Sequence, residues 1–122
     1  MNNLHYLREL CKAGRKELAF LINATVYTYH GYEQGRLVLP EETIWLIANI
    51  YGIDKNDILC EEEDISERTK QVLAQLSVLT KEQRWQYFIK NLTGKEKEKI
   101  SYQEIEEIKS EIRHKLATNT LK

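Results

Sequence analysis

Three histidines, two cysteines and many carboxylates are the side chains of this 122-residue chain that could hold a metal or carry catalysis. Their spacing supports neither. His5, His30 and His114 stand in no ligand spacing to one another or to Cys11 and Cys60, whereas zinc ligands come in closely spaced pairs. The carboxylates share helical stretches with lysines, the pattern of a solvated face. No glycine-rich phosphate loop and no nucleophile motif is present. The chain reads as a protein without enzymatic activity and without a cofactor or metal. Cys11 and Cys60 lack C-x-x-C spacing and read as two free thiols, which fits a cytoplasmic protein. The start, Met1-Asn2-Asn3-Leu4-His5, has no basic stretch leading into an apolar one, so no secretion signal is expected. No apolar run approaches the roughly 18 residues of a membrane span, so no membrane partner is expected.

Charge sets a limit on contact with nucleic acid. The chain has 18 Lys and Arg against 19 Asp and Glu, a net charge of −1. Six basic residues up to position 59 (Arg8, Lys12, Arg15, Lys16, Arg36 and Lys55) face seven acidic ones over the same span. Phosphate neutralisation drives most non-specific DNA affinity. Any electrostatic footprint must therefore be local, on one face.

The elements that position these residues read as helices throughout. Leu4, Leu7 and Leu10 or Cys11 mark a short first helix. Arg15 to Ile22 forms a second, burying Leu18, Ala19, Leu21 and Ile22, with Asn23 as a left-handed terminator. Thr25 offers an N-cap for a third helix, which runs to about Gln34 and stops at Gly35. Pro40, in the first turn, opens a fourth helix whose Glu41 and Glu42 suit the positive end of its dipole. Ile44, Ile47, Ala48 and Tyr51 make its inner stripe, and Gly52 ends it. Asp54 caps a fifth helix to about Cys60, with Ile58 and Leu59 expected inward. These five helices are expected to close a core of their own by residue 60.

The acidic run Glu61-Glu62-Glu63-Asp64 is the candidate boundary. Beyond it, a helix from about Ser66 to Val78 carries Val72, Leu73 and Leu76. Thr80 to Gln83 is a capping box for another helix to about Asn91, with Trp85, Tyr87 and Phe88. Ser101 to Glu104 is a second capping box. It opens a last helix with Ile105, Ile108, Ile112 and Leu116 on one narrow face.

The segment Arg15 to Gly35, RKELAFLINATVYTYHGYEQG, resembles the helix-turn-helix core of the Cro and phage-repressor (Xre-like) family. Leu18-Ala19, Leu21-Ile22, the turn at Asn23, Ala24, Thr25 and Tyr32-Glu33-Gln34-Gly35 fall in register with the family pattern. Leu7-Arg8 and Pro40-Glu41-Glu42-Thr43 match on the flanks. The resemblance spans residues 3 to 60 and implies an all-α fold: a five-helix repressor-like domain over residues 1–61, then a small helical C-terminal region over 65–118. It implies a sequence-specific, double-stranded-DNA-binding transcriptional repressor that lays its third helix in the major groove. Carried over by position, Thr25, Val26, Tyr27, Thr28, His30 and Gly31 face outward to the bases. Arg15, Gln34 and Arg36, with the free amides opening the fourth helix, face phosphates. Ala24 and Tyr29 fall in the core beneath that helix. Arg8 and Glu33 take the places of a structural ion pair.

The departures from the family fall where specificity is read. Val26 can touch only a thymine methyl, and Gly31 offers no side chain. Tyr27, Tyr29 and His30 make the third helix aromatic rather than basic. A protein partner on this face is the alternative, as in an antitoxin-like or inhibitor-like adaptor, because interface cores favour Tyr and disfavour charge. The C-terminal helices are expected to form a homodimer, whose two-fold axis would match a palindromic operator.

Overall fold

The computed structural model describes residues 2–94 together with Glu107 and Ser110. Every regular element among them is helical: α1 (Leu4–Cys11), α2 (Arg15–Leu21), α3 (Val26–Gln34), α4 (Glu41–Tyr51), α5 (Asn56–Leu59), α6 (Glu67–Ser77) and α7 (Lys81–Thr93). A single 3₁₀ turn, Glu62–Asp64, occupies the acidic run. The second capping box and the stripe Ile105, Ile108, Ile112 and Leu116 lie outside the described residues.

Local chemistry explains where the helices begin and end. Thr25, Ser66 and Thr80 each cap a helix by accepting the backbone N–H three residues on, at 3.0, 3.2 and 3.1 Å. Gln83 returns the bond to the Thr80 N–H at 3.0 Å, so two otherwise unpaired amides are satisfied together. Asn23 takes the left-handed conformation (φ 57°) that turns the chain between α2 and α3. Pro40 sits at the N-cap of α4 rather than inside its first turn. Asp54 accepts the Asn56 N–H at 2.8 Å, and α5 is a four-residue helix shorter than expected. So short a helix buries one side only. Ile58 is buried, whereas Leu59, expected inward, is 51% exposed.

The core is shared between the two halves. α6 packs on α1, α7 on α4, and α2 and α1 on α3. Leu4, Leu7, Ile47 and Tyr51 lie in one buried cluster with Leu73, Leu76, Phe88 and Ile89. The expectation that residues 3 to 60 close a core alone is therefore corrected. The apolar faces of α1 and α4 are wider than the first five helices can cover, and the later helices cover the remainder. Polar contacts secure the junction. Asp57 is buried and accepts the Ser66 N–H and Oγ–H at 3.1 and 3.0 Å and the Thr69 Oγ–H at 2.5 Å. Burial pushes its carboxyl upward, but the bonds from Thr69 and Ser66 outweigh that and hold it below the usual carboxylate range. Arg84 is buried and donates from Nη1 to the carbonyls of Leu76 and Leu79, both at 3.2 Å, closing the C-terminal end of α6. No described helix is long and apolar enough to cross a membrane.

Candidate nucleic-acid interface

The α2–α3 pair carries the residues singled out in the sequence. Ala19, nearly fully buried on α2, accepts the Ala24 N–H at 2.9 Å across the turn. A larger side chain at position 19 would hold the two helices apart. Tyr29 is fully buried and anchors the inner face of α3, and Ala24 packs against the same core. The outer face presents Thr25, Val26 and Tyr27, with Tyr27 71% exposed. Thr25 and Thr28 bond to each other through their hydroxyls at 3.0 Å, which fixes both at the start of the helix. His30 is half-buried and its Nδ1 is buried, so it offers less to the outside than its register suggested.

Gly31 and Arg15 also differ from the expectation. Gly31 was expected to face outward and is buried. The chain after α3 folds back so that the Leu37 N–H donates to the Gly31 carbonyl at 3.2 Å. A Cβ on Gly31 would then stand 2.8 Å from Leu37 Cδ1 and 3.2 Å from Arg36 Nη2. Arg15, expected to face a phosphate, points its Nε at Glu33 Oε1, 3.3 Å away, while its side chain stays 40% exposed. Its free edge can still meet solvent or a phosphate, but its inner edge belongs to the fold.

Glu33 is the electrostatic centre of the region. Its side chain is only 2% exposed and accepts from Arg8 Nε at 2.6 Å and from Arg8 Nη2 at 3.3 Å. His5 Nδ1 lies 3.4 Å away. Arg8 also donates to the Ala13 carbonyl at 3.1 Å, so one guanidinium joins α1, the α1–α2 turn and α3. Burial would raise the Glu33 carboxyl, but the hydrogen bond and charge of Arg8 prevail and hold it below its ordinary value. Position in the sequence indicated Arg8 and Glu33; it gave no sign that His5 and Arg15 join them.

Arg36 and Gln34 are exposed at the end of α3. Arg36 Nε donates to Gln34 Oε1 at 3.1 Å and Nη1 to the Tyr27 hydroxyl at 3.2 Å. Its Cζ lies 4.7 Å from the Tyr27 ring centroid. Sequence spacing hides this group, since residues 27 and 36 meet only because the chain folds back over Gly31. Leu37 and Val38 follow on the same exposed segment, Val38 at 91% exposure.

The first amides of α4 receive no side-chain cap, although exposed Glu41 and Glu42 stand beside them and Glu41 pairs with Lys55 Nζ at 3.6 Å. That end of α4 repels phosphate more than its free amides suggest. Elsewhere, Phe20 and Trp85 meet with ring centroids 5.8 Å apart in a cleft of about 560 Å³ between α2 and α7, bordered by Lys16, Glu17, Lys81 and Glu82. Among the described residues no group of three His, Cys, Asp or Glu converges as a metal would require. Comparison with protein-family models, with curated proteins and with solved structures finds no match to this chain.

Proposed function

We propose that this chain is a cytoplasmic helix-turn-helix regulator of the Cro and phage-repressor type, which binds double-stranded DNA sequence-selectively and represses transcription. The observation that carries the reading is the two-sided character of α3. Tyr29 holds the inner face in the fold, while Thr25, Val26, Tyr27 and the guanidinium of Arg36, which lies over Gly31 and Tyr27, are on the other face. A helix anchored in this way can enter a major groove with its N-terminal half leading. Arg15 and Arg36 supply phosphate or base contacts, Thr25 and Thr28 hydroxyl contacts, and Val26 an apolar contact to a thymine methyl. No catalytic role is assigned to any residue. The protein acts as a homodimer through the helical region after the acidic run, to which Ile105, Ile108, Ile112 and Leu116 contribute one narrow apolar face of the sequence.

Selection of bound duplexes from a random pool tests the reading. It predicts recovery of one palindromic motif, with Arg15→Ala weakening binding to all sequences alike. Recovery of no motif at low salt would sink it. A second reading, a protein partner on the same face, is favoured by the exposed Val26, Tyr27, Leu37 and Val38. It predicts that the pool yields nothing and that Tyr27→Ala abolishes partner capture.

A further inference from the structure

α3 carries no lysine or arginine of its own over Val26–Gln34, an anomaly for a helix that reads DNA. The fold supplies one from outside the helix. Because Leu37 bonds back to Gly31 and Gly31 has no side chain, Arg36 returns along α3, and its guanidinium settles over Tyr27. Tyr27 and Gln34 then fix its orientation through one hydrogen bond each. Two of its five N–H donors are engaged in this way, which leaves three for a ligand. A guanidinium held over an aromatic ring by hydrogen bonds loses less freedom on binding than a mobile one. An arginine that serves only as a phosphate counter-charge has no need of such a seat.

We propose that Arg36, seated on Tyr27, is the specificity-determining contact of this interface and pairs with the O6 and N7 acceptors of one guanine in the major groove. Tyr27 is its positioning residue. This inference rests on the DNA-binding reading and adds to it one base, one cation and one seat. Backbone phosphate oxygens offer the same paired-acceptor chemistry, and the two sources respond differently to base substitution.

The test uses the full-length protein, the duplex recovered by selection, and copies of it with each guanine replaced in turn. Wild-type protein should lose about tenfold or more in affinity at one guanine position. Arg36→Lys, which keeps the charge and loses the fork, should abolish that loss while changing affinity for unrelated duplex only a few-fold. Tyr27→Ala should reduce the same preference, and in an Arg36→Ala background it should reduce it no further. Both side chains are exposed, and unchanged melting temperatures confirm that the variants are folded. If Arg36→Lys or Arg36→Ala weakens all duplexes equally, Arg36 contacts phosphate and the inference fails while the DNA-binding reading stands. Independent, additive losses from Tyr27→Ala and Arg36→Ala would overturn the seat. Failure of the wild-type protein to bind any duplex is visible before any variant is made, and it would overturn both.

Discussion

Glu33 shows how much one buried carboxylate holds in this molecule. It joins α1 to α3 through Arg8, and His5 and Arg15 face it from the outside. Removing one partner of a buried pair leaves the other unpaired in a poorly solvated site, at a cost of about 3 to 5 kcal/mol. Glu33→Gln should approach the lower end of that range, because the amide still accepts one hydrogen bond. The pH dependence follows from the direction of the shift. The folded-state carboxyl lies below its ordinary value, so its contribution is complete above the unfolded value of about 4.3 and is lost as pH falls through the folded one. The difference in melting temperature between wild type and Glu33→Gln should be widest near neutral pH and should narrow as pH falls through the lowered folded-state value of the carboxyl. Equal melting at neutral pH would show that the pair contributes nothing. Of this centre, Arg8 and Glu33 were legible by position, while Arg15 and His5 were not, since nothing in their spacing shows that they converge on one carboxylate.

At the scale of elements, the turn residues were the readable part. Asn23, Gly35 and Gly52 end or separate helices as their backbone preferences dictate, and each adopts positive φ. Side chains that cap a helix from a distant element were not readable. Tyr87 Oη donates to the Tyr51 carbonyl and Asn91 Nδ2 to the Ile50 carbonyl, both at 2.9 Å, so α7 closes the C-terminal end of α4. Gly52 matters twice there. Its φ of +71° is left-handed, and a Cβ on it would stand 2.7 Å from the Tyr87 hydroxyl. Tyr87→Phe should destabilise the fold by about 1 kcal/mol, the net value of one such bond, without changing DNA specificity. A chemical denaturation series measures it, and an unchanged midpoint would show that the bond contributes nothing. Gly31 was misread for a related reason. Its place on the helix put it outward, and only the fold-back of Leu37, a contact with no periodic signature, buries it.

For the whole molecule, the decisive difference from the sequence pattern is the shared core. A cut at Asp64 removes Leu73, Leu76, Phe88 and Ile89 from the cluster that contains Leu4, Leu7 and Tyr51. It should therefore give an insoluble or molten fragment. A cut after Gly94 leaves α1 to α7 intact and should give a folded monomer with weakened DNA affinity, while the full chain sediments as a dimer. A monomeric full-length protein would end the dimer proposal. The periodicity of the first five helices was legible; that α1 and α4 need further cover was not, because period alone does not report how wide a buried face is. Sequence-selective DNA binding by a chain of net charge −1 is the reading most open to direct measurement. It is tested most directly by titrating full-length protein into a labelled selected duplex and a shuffled one between about 50 and 200 mM salt. Both affinities should fall as salt rises, and the preference for the selected duplex should persist, since base contacts release few counterions. Equal affinity for the two duplexes at every salt concentration would contradict it.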